Sequence, residues 1–124
     1  MANLQITEVK PFIPAKDFAI SKHFYESLGW VIKWSDANLA LMENANQRFY
    51  LQNYYAKEWA ENTMLHITVA DAFSSYTRIK ALLESGEFAP ARVAEPKQES
   101  YGALVTYLWD PAGVLLHLAQ WIHA

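Results

Sequence analysis

Two imidazoles and an ammonium group are the side chains best placed to act on another molecule. His117 interrupts the apolar run Val114 to Gln120. A titratable group inside a buried-looking strand needs a partner or a task. His66 stands in a similar run, Met64 to Val69, and Lys10 in the opening stretch Gln5 to Ala15. Each has a plain alternative: a core histidine satisfied by a neighbouring strand, or a solvated lysine at a strand end. His23 lies among Ser21, Lys22 and Glu26 and reads as surface, and His123 lies in the tail. Glu8, Glu43 and Glu58 are isolated and more simply solvated, so no paired-carboxylate or Ser/His/Asp arrangement follows from spacing. Cysteine is absent, which excludes disulfides, thiolate catalysis and thiolate metal sites.

Whole-chain properties narrow the chemistry further. The 124 residues are 52% hydrophobic, enough for one core and one domain. A net charge of −3 disfavours a surface that tracks nucleic-acid phosphates, and it tolerates a cationic small ligand. No apolar run approaches the ~20 residues of a membrane-spanning helix, and the N-terminus lacks the pattern of a signal peptide. The expectation is a soluble, cytoplasmic protein with no nucleic-acid or membrane partner. Aromatic residues reach 15%, including five Trp and seven Tyr, which is high for this size.

The elements that must position these groups follow from local signals. Around His117, the runs Ala103 to Trp109 and Val114 to Gln120 flank the turn Asp110-Pro111-Ala112-Gly113. Asp supplies a side-chain acceptor, Pro fixes φ and Gly accepts positive φ, so a strand–turn–strand unit is expected. Gln5 to Ala15 reads as a first strand, confined to an edge by Pro11 and Pro14. Asp17 caps a helix with Phe18, Ile20, Phe24, Tyr25 and Leu28 on one face, and Gly29 stops it. Three short strands follow, Trp30 to Trp34, Leu39 to Met42 and Arg48 to Gln52, joined by turns at Ser35 to Asn38 and Glu43 to Gln47. Residues 54–62 read as a linker.

The plan then recurs. Met64 to Val69 is a strand, Asp71 caps a helix carrying Phe73, Tyr76, Ile79, Leu82 and Leu83, and Gly86 ends it. Val93 marks a short strand before the two described above. Both halves read strand, helix, strands, and an internal duplication accounts for this. The expected fold class is α+β: two βαβββ modules (5–53 and 63–121) whose curved mixed sheets surround a cleft, with helices on the outer faces.

The stretches Pro11-Phe12-Ile13-Pro14-Ala15-Lys16-Asp17, Phe24-Tyr25-Glu26-Ser27-Leu28-Gly29-Trp30 and Asp110-Pro111-Ala112-Gly113 occur in an order that resembles the vicinal oxygen chelate superfamily. That superfamily includes glyoxalase I, extradiol dioxygenases and bleomycin-resistance proteins, and the strand start and the turn before His117 are most similar to the bleomycin-resistance branch. Enzymes of the family place His or Glu ligands on four strands facing a shared cleft. Here the resemblance puts Lys10 at the first such position, Tyr50 or Gln52 at the next, Met64 or its neighbour His66 at the third, and His117 at the fourth. Lys repels a divalent ion and Met is a poor ligand for hard metals, so no metal and no cofactor are expected.

Strand parity with the family plan then adds Phe12, Tyr50, Gln52, His66, Tyr107 and Trp109 to Lys10 and His117 as candidate ligand-binding residues. Ile13, Leu65, Ile67, Val69, Leu116 and Leu118 would pack under the helices. The resemblance implies a homodimeric, metal-free binder of a bulky aromatic or cationic compound, with a role in antibiotic resistance. Two alternatives remain: a metal-dependent lyase, isomerase or dioxygenase built on His66 and His117, and a protein-interaction module without ligand. Trp59, Tyr54 and Tyr55 either cover the opening or pack the linker.

Overall fold

The computed structural model describes residues 1–122; His123 lies outside the described residues. Helix α1 (Phe18–Ser27) begins where Asp17 Oδ1 accepts from the Ile20 amide at 3.2 Å, and Gly29 follows it at φ 98°. Helix α3 (Ala72–Leu83) begins in the same way, with Asp71 Oδ1 accepting from the Ser74 amide at 2.9 Å. Each cap satisfies an otherwise orphaned helical N–H.

Among the described residues, eight strands form two four-stranded sheets. The first holds β1 (Phe12–Pro14), β2 (Val31–Ser35), β3 (Leu39–Asn44) and β4 (Gln47–Gln52), in the order β1-β4-β3-β2. The second holds β5 (Met64–Thr68), β6 (Arg92–Glu99), β7 (Ala103–Trp109) and β8 (Leu115–Trp121), in the order β5-β8-β7-β6. In each sheet the first strand runs parallel to the last while the other pairs are antiparallel. Identical strand order in two consecutive halves is the duplication expected from the recurring strand–helix–strands plan.

Alternation decides which side of each sheet is covered. In β4 and β8, Phe49, Leu51, Leu116 and Leu118 are buried, whereas Tyr50, Gln52, Leu115 and His117 are half-buried. The covered sides share one core: Phe24, Tyr25 and Phe49 of the first module belong with Phe88, Leu108 and Leu116 of the second. Burying each of these Phe or Leu side chains contributes about 1.5–3 kcal/mol. Phe24 meets Phe88 edge-on at 5.4 Å, and Tyr25 meets Phe49 at 5.0 Å.

One polar link crosses this core. The Tyr25 hydroxyl donates to Asp110 Oδ2 at 2.6 Å, while Asp110 Oδ1 accepts from the amides of Ala112 (2.8 Å) and Val114 (3.0 Å). Gly113 closes that turn at φ 96°. The Asp-Pro-Ala-Gly turn is therefore also the point where α1 of the first module is fastened to the second.

Four local expectations are corrected. The first strand covers Phe12–Pro14, not Gln5 to Ala15: residues 1–9 are exposed and pair with no strand among the described residues. The linker contains a short helix, α2 (Lys57–Ala60), in which Trp59 packs on Tyr54 with ring centroids 6.0 Å apart. The short strand at Val93 is eight residues long. Phe73 is 62% exposed and not on the packed face of α3, where Ala72 and Ile79 are the buried residues.

Candidate functional site

The uncovered side of each sheet carries the chemistry. On the second sheet, His66 and His117 are register partners, and their rings stack with centroids 5.9 Å apart. Tyr107 is the register partner of His117 on the other side and meets its ring edge-on at 5.1 Å. Trp109 continues that row, 6.5 Å from Tyr107, with the Arg92 guanidinium 3.5 Å above its ring. At the opposite end, Trp121 lies 5.6 Å from His66 and 5.7 Å from Tyr101, and its indole N–H donates to Thr68 Oγ1 at 3.1 Å. The Tyr101 hydroxyl lies 3.3 Å from Nε2 of His66. Six rings thus share one sheet face.

Two groups on this face are electrostatically set. Tyr107 donates to Glu99 Oε2; burial, reinforced by that bond and the carboxylate's charge, pushes the phenol up to about 12. It is a fixed donor at neutral pH. Burial, with the nearby His66, holds His117 below the usual imidazole value, and its Nε2 is buried with no hydrogen-bond partner among the described residues. A histidine whose folded pKa lies below its unfolded value of 6.5 binds fewer protons folded than unfolded. Its contribution is present above pH 6.5 and is lost as pH falls through the folded pKa. The thermal midpoint is therefore expected to fall from about pH 7.5 to about pH 5, and His117→Gln to remove part of that fall. Identical slopes in the two proteins would assign the acid sensitivity elsewhere.

The uncovered face of the first sheet is different. Phe12 and Tyr50 are register partners with rings 5.0 Å apart, and Lys10 Nζ lies 5.6 Å from the Tyr50 centroid. Along the same face runs a chain of ion pairs: Lys10–Glu8 (2.5 Å), Glu8–Arg48 (2.9 Å), Arg48–Glu43 (2.7 Å) and Glu43–Lys33 (3.8 Å). The hydrogen bond from Lys10, then that from Arg48, holds the Glu8 carboxyl below its ordinary value. Lys10 is accordingly a paired cation. Gln52 is half-buried beside Leu39.

The eight sequence-derived residues thus fall into two sets. Lys10, Phe12, Tyr50 and Gln52 lie on one uncovered face, and His66, Tyr107, Trp109 and His117 on the other. Among the described residues no ring contact, hydrogen bond or ion pair joins the sets. Because the covered faces share the core, each uncovered face is left to meet something outside it. A cavity of about 360 Å³, lined by Lys16, Tyr55, Arg92, Trp109 and the Asp110–Gly113 turn, adjoins the Trp109 end.

The donor set does not fit a divalent ion. The four positions expected from the resemblance hold a paired lysine, Tyr50 or Gln52, Met64 or His66, and His117, and no group of three or more His, Cys, Asp or Glu is disposed to hold a metal among the described residues.

Sequence reasoning missed Tyr101, Trp121, Arg92 and Glu99. Trp121 shares the parity of His117 and was reachable by extending that strand one residue past Gln120. Tyr101 sits in the β6–β7 turn, where strand parity carries no signal.

No family model matches the chain, and no curated protein matches it. Solved structures do. A bleomycin-binding protein complexed with bleomycin is similar over 93% of this chain and 98% of that one, at 23% identity and a TM-score of 0.76. The bleomycin-binding protein of Streptomyces verticillus, complexed with copper(II)-bleomycin, is 18% identical over 98% of this chain and 100% of that one, with a TM-score of 0.70. A lactoylglutathione lyase from Agrobacterium tumefaciens is 14% identical over 93% and 94%, with a TM-score of 0.65. These likenesses, together with the duplicated sheet order, give the chain the paired βαβββ fold of those structures.

Proposed function

We propose that this chain is a metal-free binding protein that sequesters a bulky aromatic or cationic small molecule without chemistry. The observation that carries the reading is the row of six rings on the uncovered face of the second sheet. Planar or cationic ligands gain about 0.5–2 kcal/mol per well-placed ring through stacking and cation–π contact. The likeness to bleomycin-binding structures supports glycopeptide antibiotics as the first compounds to test, and with them a role in antibiotic resistance. In this reading both modules serve as one domain, in the cytoplasm. Two copies associate so that the His66–Trp109 face of one and the Phe12–Tyr50 face of the other enclose the ligand.

Titration of the intrinsic tryptophan fluorescence with bleomycin-type glycopeptides and planar cationic dyes tests this. Saturable quenching with a 1:1 ratio of ligand to chain is expected, since Trp109 and Trp121 stand on the binding face. A flat response to every compound would leave no role for the rings as a binding surface. The fold is shared with a lyase, and in this chain His66 and His117 set two imidazoles side by side on one face. Elemental analysis showing one tightly held transition-metal ion per chain would replace the binder with a metal-dependent enzyme.

A further inference from the structure

We infer that the cavity between Lys16 and Arg92 is an anion site, which takes a small aryl carboxylate of the benzoate class. It adjoins the ring-lined face of the second sheet only at Trp109, and the inference does not rest on the binding proposed for that face.

Two unpaired cations converge on this cavity. Lys16 lies in the link between β1 and α1 of the first module, and Arg92 opens β6 of the second, yet both line one space of about 360 Å³. Neither takes part in an ion pair among the described residues, whereas Lys10, Lys33, Arg48 and Lys57 all do. Each lies against a ring instead. Lys16 Nζ is 5.2 Å from the Tyr55 centroid, and the Arg92 guanidinium carbon is 3.5 Å from that of Trp109. A ring face holds a cation in place without accepting from its N–H groups as an oxygen would. At 3.5 Å the guanidinium has to lie flat on the indole, which leaves its N–H edge free for the two oxygens of a carboxylate.

The carboxylates around the cavity are already answered. Asp110 is 1% exposed, and its oxygens accept from the Tyr25 hydroxyl and the Ala112 and Val114 amides. Glu61 stands at the wall with Lys57 3.9 Å away to offset it. Lys16 and Arg92 are left as the uncompensated pair. The turn offers an anion no donors of its own, since the Ala112, Gly113 and Val114 amides are all spent on Asp110. Recognition of the charge therefore falls to the two side chains.

The remaining lining selects the body that carries the charge. Tyr55, Trp109, Pro90, Pro111 and Ala112 give the space apolar walls, two of them flat. Its volume lies near the lower end of the roughly 300–1,000 Å³ usual for small-molecule sites, so a single substituted ring fits and a glycopeptide does not. Because the two cations belong to different modules, a bound carboxylate bridges them beside the Tyr25–Asp110 link.

Amide-resolved NMR titration of the full chain with benzoate, benzamide and inorganic phosphate tests the inference. Benzoate is expected to saturate with a dissociation constant of about 1 mM or lower, shifting Lys16, Tyr55, Arg92 and the 110–113 turn. Benzamide has the shape without the charge and phosphate the charge without the ring, so each is expected to bind at least about 10-fold more weakly. Lys16 and Arg92 are exposed, so their replacement leaves the core intact. Lys16→Gln, which removes one charge, and Arg92→Lys, which removes the forked edge, are each expected to weaken benzoate by about 10-fold. Glu61→Gln is expected to tighten it by roughly several-fold. Lys16 is the discriminating position, because its ring contact is to Tyr55 and not to the second sheet. Benzamide equal to benzoate, an unweakened Lys16→Gln, or no saturable shift at these residues overturns the site. Phosphate equal to benzoate overturns the aryl assignment. Shifts confined to His66, Tyr101 and Trp121 also overturn the site, while supporting the ring-lined face as a separate binding surface.

Discussion

Asp110→Ala is expected to cost the folded chain about 3–5 kcal/mol, or to prevent it from folding at 37 °C. The carboxylate accepts three hydrogen bonds inside the core, one from the Tyr25 hydroxyl and two from the turn amides of Ala112 and Val114. Alanine strands all three donors, and a buried donor left unpaired costs roughly 1–3 kcal/mol, less than additively when the groups are neighbours. Burial raises the Asp110 pKa, whereas its three donors and the Gly113 amide favour the charged form. Tyr25 is pushed well above the ordinary phenol value, by burial first and then by Asp110, so it remains a donor. Tyr25→Phe removes only one donor and leaves a carboxylate that keeps both turn amides, so a smaller loss, about 1–2 kcal/mol, is expected. Urea denaturation of the two variants checks the ranking. Equal small losses would mean that the turn is held by Pro111 and Gly113, with Asp110 dispensable.

That link shows what the sequence made legible. Asp17, Asp71, Gly29 and the Asp-Pro-Ala-Gly turn act within four residues of themselves, so their chemistry is visible before any tertiary contact exists. The turn's internal bonds could be inferred from residue type; the Tyr25 bond, spanning both modules, could not. β6 was read too short because it is an edge strand whose Glu95, Pro96, Lys97 and Gln98 mask the alternation by which strands are recognised. Gln5 to Ala15 reads as a strand from its β-branched residues and rough alternation, yet only Phe12–Pro14 is one. The composition is that of a strand, but a strand also needs a neighbour, and this chain provides none there. At the site, parity placed His66 with His117 and Tyr107 with Trp109 correctly on one face. It could not show that Lys10 and Phe12 belong to a separate face, because parity orders residues within a sheet and is silent on how two sheets pack.

If the ring row of the second sheet binds the ligand as proposed, Trp109→Ala is expected to weaken binding by about 30- to 100-fold. Trp109 is half-buried in a row of rings, so its truncation removes the largest flat surface at that end of the face while leaving the core unaltered. Phe73→Ala, at an exposed aromatic on the outer side of α3, is the control and is expected to leave affinity unchanged. Arg92 sharpens the test. Its guanidinium already occupies one face of the Trp109 ring at 3.5 Å, so a cationic ligand has to displace it whereas a neutral or anionic planar ligand can stack beside it. Arg92→Ala should therefore raise the affinity of cationic ligands and lower that of anionic ones, each by several-fold. Fluorescence titrations of the three variants with a planar cation and a planar anion read the sign directly. Unchanged affinity in Trp109→Ala would move the ligand to the His66–Tyr101–Trp121 end of the face, where the same rings stand without a competing guanidinium.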